Sequence, residues 1–87
     1  LNEGNLNCRV CGLVQGTQPW GADGRTPAYE ICDCCGVEFG YEDSSRAPVF
    51  AFRASWIDSG YRWFNPKVRP KNWRPDEQIA QVPPAFR

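Results

Sequence analysis

Two cysteine pairs of the form C-x₂-C-G constrain this chain more than any other feature. The pairs occupy residues 8–11 and 32–35, each is followed by a glycine, and 20 residues, 12–31, lie between them. Two intervening residues let both thiolates of a pair reach one ion from a tight turn, and the glycine can adopt the positive φ that closes the turn. Two such turns facing each other complete a tetrahedron, which predicts one metal site. The predicted ligands are Cys8, Cys11, Cys32 and Cys35.

The identity of the metal follows less directly from the spacing. Tetrahedral thiolate sites hold zinc or iron, and zinc is the usual structural ion in closed four-cysteine sites. The double C-x₂-C-G arrangement also resembles rubredoxin, an iron electron carrier. We predict one structural zinc ion and keep iron as the alternative. Two disulfides or free buried thiols are the remaining interpretation, but an odd number of cysteines, five, argues against full disulfide pairing.

The length of the chain explains why a metal would help it to fold. Its 87 residues predict a single domain, and an apolar core of that size is marginal on its own. A structural zinc ion supplies on the order of 10 kcal/mol of folding free energy in small zinc modules. We predict a small α+β domain over residues 1–87. It consists of a rubredoxin-like zinc ribbon, with two zinc knuckles and short antiparallel strands, a C-terminal helix and an extended arm.

Apolar periodicity and helix breakers divide this domain into three segments. Residues 8–43 form the ribbon, in which apolar and polar residues alternate over 37–42 as in a strand. Residues 46–60 form a helix, with Pro48 in the first turn and Gly60 just past the end. Residues 61–87 form an extended arm and a short helix that pack on the ribbon. The residues predicted to form the buried helix stripe are Phe50, Ala54, Ile57 and Tyr61, with Phe52 and Trp56 beside it.

Missing residue types and motifs argue against an enzyme. The chain contains no histidine, the commonest general base, and no glycine-rich phosphate loop. A closed four-cysteine site also leaves no open position for water or substrate. The first residues, LNEGNLNC, lack the basic and apolar regions of a signal peptide, and no window is apolar enough to span a membrane. We therefore expect a non-enzymatic, cytoplasmic protein.

The second cysteine cluster carries a family resemblance. The stretch YEICDCCGVEFGYED at residues 29–43, preceded by C-x₂-C-G and followed by an arginine-rich stretch with Trp56-Ile57 and Gly60, resembles the bacterial cysteine-rich CPCC proteins. The resemblance is best over residues 8–43 and looser from 46 onward. It implies a small metal-bound ribbon with the same four ligands. Immunity proteins, which protect a bacterium from a toxin, are the role that the resemblance suggests for some of the relatives, and we take it as an expectation for this chain. The family motif has proline where this chain has Asp33, so the turn loses rigidity and gains a negative charge.

The distribution of charge suggests a protein partner. Residues 1–45 carry two basic and seven acidic side chains, and residues 46–87 carry eight basic and three acidic ones, so the halves have net charges of −5 and +5. Four thiolates and Zn²⁺ add −2 to the ribbon half. Such a surface could steer onto a basic protein, for example the cleft of a nuclease toxin, although these acids could equally solvate the ribbon or pair with the basic arm. The candidate contact residues are Trp20, Asp23, Glu38, Glu42 and Asp43.

The basic half supports a different function. Residues 61–74 hold five cations and no acid, interleaved with the rings of Tyr61, Trp63, Phe64 and Trp73. Cations beside stackable rings suit single-stranded nucleic acid, whereas an arm that wraps the ribbon would bury the same rings in its core. The fifth cysteine, Cys34, lies outside both C-x₂-C pairs. We expect it to be a small, partly buried side chain beside the site, with a reactive or exchanging ligand as the alternative.

Overall fold

The fold consists of an N-terminal region of turns followed by helices and an arm. The structure, a computed structural model, describes residues 6–87. Two α-helices occur, α1 at Arg46–Asp58 and α2 at Pro75–Ile79, together with short 3₁₀ helices at Pro66–Val68 and Pro84–Phe86. None of the helices in this part of the chain has the length and apolar character required to traverse a bilayer. Most of the buried residues form one cluster that contains all five cysteines, together with Val37, Phe39, Val49 and Trp56.

The predicted antiparallel strands are much shorter than expected. Within residues 6–87, pairing is limited to two isolated antiparallel bridges, Asn7–Val14 and Ile31–Glu38. Val37 and Phe39 are buried, as the alternating pattern predicts, but Tyr41 is 74 % exposed. The alternation fails there because Gly40 takes a φ of +98° and turns the chain away from the extended path.

Helix α1 lies where the sequence placed a helix and ends in a Schellman motif. Gly60 has a φ of +87°, and its N–H donates to the carbonyl of Ile57 at 3.0 Å. The N–H of Tyr61 donates to the carbonyl of Trp56 at 3.1 Å, which completes the motif. The rings of Trp56 and Tyr61 then meet edge to face, with their centroids 5.3 Å apart. The glycine therefore stops the helix and starts the arm in a fixed direction.

The prediction of the buried face of α1 is wrong: the face that is buried is displaced by one residue along the helix from the predicted one. Val49 and Trp56 are the buried residues of the helix, and Phe52 and Arg53 are half-buried between them. The predicted stripe instead faces outward: Phe50 is 36 % exposed and Ile57 is 38 % exposed. Ala54 is also exposed, and Tyr61 is half-buried beyond the helix. The sequence misled because it places a charged residue, Arg53, on the inner face, where it is used for hydrogen bonding.

The arm that follows α1 is attached to the second cysteine turn by backbone hydrogen bonds. The N–H of Phe64 donates to the carbonyl of Cys34 at 2.9 Å, and the N–H of Asn65 donates to the carbonyl of Asp33 at 2.8 Å. Trp63 is only 7 % exposed and meets the half-buried Trp73 edge to face at 5.1 Å. The aromatic residues of the arm therefore supply core that the short ribbon cannot supply alone.

Candidate metal centre

The two cysteine turns have the same backbone conformation, repeated at an offset of 24 residues. In the first turn, the N–H of Cys8 donates to the carbonyl of Leu13, and the N–H of Gly12 donates to the carbonyl of Cys8. In the second turn, the N–H of Cys32 donates to the carbonyl of Val37, and the N–H of Gly36 donates to the carbonyl of Cys32. The two glycines have φ values of +87° and +84°. The isolated bridges, at Asn7–Val14 and Ile31–Glu38, obey the same offset. The repeated C-x₂-C-G motif thus encodes one local structure twice.

The structure brings the four predicted ligands into one cluster. The sulfur atoms of Cys8, Cys11, Cys32 and Cys35 all lie within 4.8 Å of one another. The shortest separations join the two turns, since Cys8 Sγ lies 3.6 Å from Cys35 Sγ and Cys11 Sγ lies 3.6 Å from Cys32 Sγ. An ion bound by four sulfurs at about 2.3 Å in a tetrahedron needs sulfurs roughly 3.8 Å apart. The cluster fits that requirement, so these cysteines are positioned to hold one metal ion.

The buried thiols favour a bound cation electrostatically. Burial raises the pKa of Cys11 and of Cys35, whereas hydrogen bonds from the neighbouring thiols lower the pKa of Cys32. Without a cation the cluster cannot hold four negative charges in a dry interior, so some of the thiols keep their protons and donate them to neighbouring sulfurs. A divalent ion would replace those protons and stabilise the thiolates.

Hydrogen-bond donors approach the ligand sulfurs from the surrounding chain. The N–H of Val10 donates to Cys8 Sγ at 3.4 Å, and the side-chain amide of Gln15 donates to Cys32 Sγ at 3.5 Å. Such donors stabilise thiolate charge and fix the orientation of the ligands. Gln15 carries no motif signal, so its role became visible only in three dimensions.

Arg53 is a residue beside the cluster that the sequence did not single out. Its guanidinium donates to the carbonyls of Val10 at 2.6 Å, Arg9 at 2.8 Å and Phe86 at 2.5 Å. The side chain therefore ties α1 to the first cysteine turn and to the C-terminal segment. Burial lowers the pKa of Arg53, and the nearby thiols at positions 8, 11 and 35 act in the opposite direction. Arg53 thus places a positive charge beside the four cysteine sulfurs.

Cys34 occupies the position in the second turn that Val10 occupies in the first. Both residues are fully buried, with 0 % exposure. The amide of Gln78 in α2 donates to Cys34 Sγ at 3.3 Å and to the carbonyl of Cys11 at 3.2 Å. The expectation of a small buried side chain beside the site agrees with this placement, and burial is complete rather than partial. The 24-residue offset in the sequence already aligns Cys34 with the apolar Val10, so the sequence alone could have predicted that Cys34 is fully buried.

Two of the five candidate partner residues are used inside the fold. Asp43 is fully buried, accepting hydrogen bonds from the indole N–H of Trp20 at 3.0 Å and from the N–H of Gly40 at 2.7 Å. The prediction that Asp43 contacts a partner is therefore wrong, because its carboxylate is consumed within the ribbon. Trp20 is half-buried, and the guanidinium of Arg9 lies 4.0 Å from its ring centroid. The proposed aromatic anchor is thus held by intramolecular contacts.

The other three candidates lie nearer the surface. Asp23 is exposed, and its carboxylate accepts hydrogen bonds from Arg25 and Thr26 within a local turn; these hydrogen bonds lower its pKa. Glu38 and Glu42 are half-buried neighbours, since the N–H of Glu38 donates to a Glu42 carboxylate oxygen at 3.3 Å. The structure therefore places the two glutamates together and leaves Asp23 in a separate loop turn.

The rings proposed for stacking on nucleic acid lie mostly inside the fold. Of the four, Trp63 is buried and Tyr61 and Trp73 are half-buried, while Phe64 is 59 % exposed. The arm cations at positions 62, 67, 69, 71 and 74 are exposed. Arg74 lies 3.4 Å from Glu77 and 3.8 Å from Asp76, at the start of α2. Phe64 is thus the one exposed ring of the four beside these cations, so the structure offers less stacking surface than the sequence suggested.

These features define a small protein with four cysteines positioned for one metal ion, and comparison with known proteins adds one relative. The chain is 28 % identical over 85 aligned residues to the uncharacterized protein YozI of Bacillus subtilis strain 168, covering 77 % of this chain and 69 % of that protein. No protein-family model matches the chain. No solved structure matches it either. The resemblance to the CPCC proteins therefore stays a prediction from the residues that carry it.

Proposed function

We propose that this protein is a non-enzymatic binding module whose fold is held by one structural zinc ion in a rubredoxin-like ribbon. The observation that carries the metal is the convergence of four sulfurs, within 4.8 Å, from two turns of identical hydrogen bonding. All four ligands would be protein thiolates, and three of them have no exposure at all. Such a closed centre stabilises structure rather than activating water or substrate.

Elemental analysis of the purified protein tests the metal. We expect one zinc ion per chain and no visible absorption. A red protein with one iron ion and reversible one-electron chemistry would instead support the iron electron carrier, because iron in a four-thiolate site is redox-active whereas zinc is not. A preparation that binds neither metal, even after refolding in the presence of zinc, would contradict the proposal.

We further propose that the protein-binding surface lies beside the second cysteine turn, around two exposed tyrosines. Tyr29 is 64 % exposed and Tyr41 is 74 % exposed. They are neighbours, since the ring of Tyr29 covers Gly40, with Cε1 only 2.9 Å from where a β-carbon on Gly40 would lie. Tyrosine is enriched at protein interfaces, and the adjacent Glu38 and Glu42 add negative charge. This tyrosine surface supports a basic protein as partner.

We propose more specifically that the protein is an immunity protein that neutralises a toxin. This proposal rests on the resemblance to the CPCC proteins and on the negative charge beside the tyrosine surface. It is tested by co-expressing the chain with the product of an adjacent toxin-like gene. We expect a co-purifying complex that dissociates at high salt and that Tyr41→Ala weakens. Val68→Ala, at a residue 49 % exposed in the arm, is the matched control and should leave the complex intact. A complex unaffected by Tyr41→Ala would overturn the placement of the surface.

A further inference from the structure

One of the four ligands differs from the others in its access to solvent. Cys8, Cys11 and Cys32 have 0 % exposure, whereas Cys35 is 9 % exposed. Cys35 also lines an open cleft of about 330 Å³ between α1 and the arm. Phe52, Trp56 and Trp63 form apolar walls of this cleft, and Ser55 and Arg62 contribute polar groups. No other ligand lines it, so the cleft leads from solvent to one edge of the metal centre.

We propose that Cys35 is the modification site at which a hydroperoxide oxidises this centre, and that the resulting Cys35–Cys8 disulfide releases the metal. The cleft has room for a molecule as small as hydrogen peroxide. Among residues 6–87, Arg62 is the only charged residue that lines it, so none of the described carboxylates there repels the hydroxide that leaves during the reaction. The inference rests on the proposed zinc centre and adds a chemical reaction to it.

The two thiolates and one molecule of H₂O₂ account for all the electrons in the reaction, without a further oxidant or reductant. The Cys35 thiolate attacks one oxygen of H₂O₂, the O–O bond breaks, and hydroxide leaves, giving a sulfenic acid. The Cys8 thiolate, whose sulfur lies 3.6 Å from Cys35 Sγ, then attacks the sulfenyl sulfur; the S–S bond forms and a second hydroxide leaves. Two protons from the buffer convert both hydroxides to water. The thiolates lose two electrons and the peroxide gains them, and two remaining thiolates no longer complete a tetrahedral site.

The same geometry argues that the fifth cysteine is not the target. Cys34 is not a predicted metal ligand, and an unligated thiol would ordinarily be expected to react first. However, Cys34 has 0 % exposure and does not line the cleft. Oxidation follows access as well as thiolate character. Access therefore selects Cys35, and the order of modification separates the two possibilities.

The test uses the full zinc-loaded chain and graded hydrogen peroxide. Zinc release is followed with a colorimetric chelator, and samples are quenched with iodoacetamide and digested with trypsin. Cleavage after Arg9, Arg25 and Arg46 separates Cys8 from Cys11 and places Cys35 in a third peptide. We expect a cross-link between peptides 1–9 and 26–46 to appear together with zinc release, and fragmentation to locate it at Cys35.

Two substitutions on α1 provide a matched pair. Ser55→Trp narrows the cleft and should slow zinc release by at least about threefold, because exchange and oxidation rates depend on access to the sulfur. Ala51→Trp adds the same side chain at an exposed position that does not line the cleft and should release zinc at the wild-type rate. Cys34→Ser should also keep the wild-type rate and the same cross-link.

Initial modification of Cys34, or of Cys11 or Cys32, would overturn the inference, as would equal slowing by both tryptophan substitutions. Zinc content before oxidation distinguishes this failure from failure of the proposed function. A chain with one zinc ion whose oxidation begins elsewhere refutes only the role of Cys35. A chain that never binds zinc refutes the structural zinc centre, and with it the release reaction.

Discussion

The backbone of Gln78 in α2 packs directly on Gly12, so that a β-carbon on residue 12 would overlap the Gln78 carbonyl oxygen. The contact joins the C-terminal helix to the first cysteine turn at its closing glycine. The equivalent glycine of the second turn, Gly36, instead faces the side chain of Phe64, with a β-carbon 3.3 Å from the ring. Two turns with the same backbone are therefore covered by different parts of the same arm.

This difference predicts unequal effects for two matched substitutions. Gly12→Ala and Gly36→Ala both force alanine into a positive φ, at a cost of about 1–2 kcal/mol. Gly12→Ala also meets backbone that cannot move aside, so we expect a much larger loss, or failure to fold. At Gly36 the neighbour is a side chain that is partly exposed and can shift.

Urea unfolding of the zinc-loaded proteins measures this difference. Gly16→Ala is the control, since residue 16 has no atom within 4 Å of the added carbon and no positive φ, and its stability should be unchanged or slightly higher. Equal destabilisation at positions 12 and 36 would show that the α2 contact is not as tight as described.

The hydrogen bonds of Arg53 give a second prediction. Arg53→Ala removes a charged donor from three backbone carbonyls in the first turn and the C-terminal segment. We expect a loss of about 2–4 kcal/mol, since partly buried acceptors are left without partners. Arg53→Lys should recover only part of it, because an ammonium cannot span the same set of carbonyls. The measurement is the free energy of unfolding in denaturant.

The exposed Arg46, in the first turn of α1, is the matched control for Arg53. Its guanidinium lies 5.4 Å from the ring centroid of Phe50, and the residue is exposed to solvent. Arg46→Ala should change stability by no more than about 0.5 kcal/mol. A similar effect at both positions would indicate that helix charge, rather than the hydrogen bonds, explains the result.

Acidification should weaken metal binding. Burial raises the pKa of Cys11 and Cys35, so in the metal-free fold these thiols carry protons at neutral pH. Metal binding must displace the protons, and a lower pH favours the protonated, metal-free state. The zinc dissociation constant should therefore rise on going from pH 8 to pH 6, by up to about tenfold per pH unit for each proton released.

Competition with a chelator across this pH range measures the effect, with the affinity of the chelator corrected at each pH. Excess chelator at neutral pH should also unfold the cysteine turns, seen as loss of the near-ultraviolet circular dichroism of the buried tryptophans. A dissociation constant independent of pH would mean that the thiols are already ionised before the metal arrives.

The equivalence of Cys34 and Val10 gives a fourth prediction. Cys34→Val places in the second turn the residue that the first turn already contains, so metal content should remain at one ion per chain. Stability should fall by no more than about 1 kcal/mol, the value of the lost hydrogen bond from Gln78. Cys35→Ser, one residue further on, should lose most of the metal. Loss of metal in Cys34→Val would identify Cys34 as a ligand.

The sequence by itself determined the local structure of the metal centre. Each C-x₂-C-G motif contains everything its turn requires, namely two ligands and a glycine able to take positive φ, so the four ligands could be named from spacing alone. The end of α1 was likewise encoded locally, in Gly60. The helix face was not, because Arg53 lies on the buried side and its partners are backbone carbonyls that no sequence pattern displays.

Tertiary structure alone decided which residues remain available for function. Nothing in the sequence distinguishes Asp43 and Trp20 from acidic and aromatic residues on the surface. In the structure, the indole N–H of Trp20 donates a hydrogen bond to the carboxylate of Asp43 inside the ribbon. In the arm, Trp63 became core and Phe64 stayed exposed, although both are aromatic and adjacent in the sequence. Cys35 gained its cleft from residues of α1 and the arm. Burial and access arise from contacts between distant segments, whereas the cysteine turns arise from neighbours in the chain.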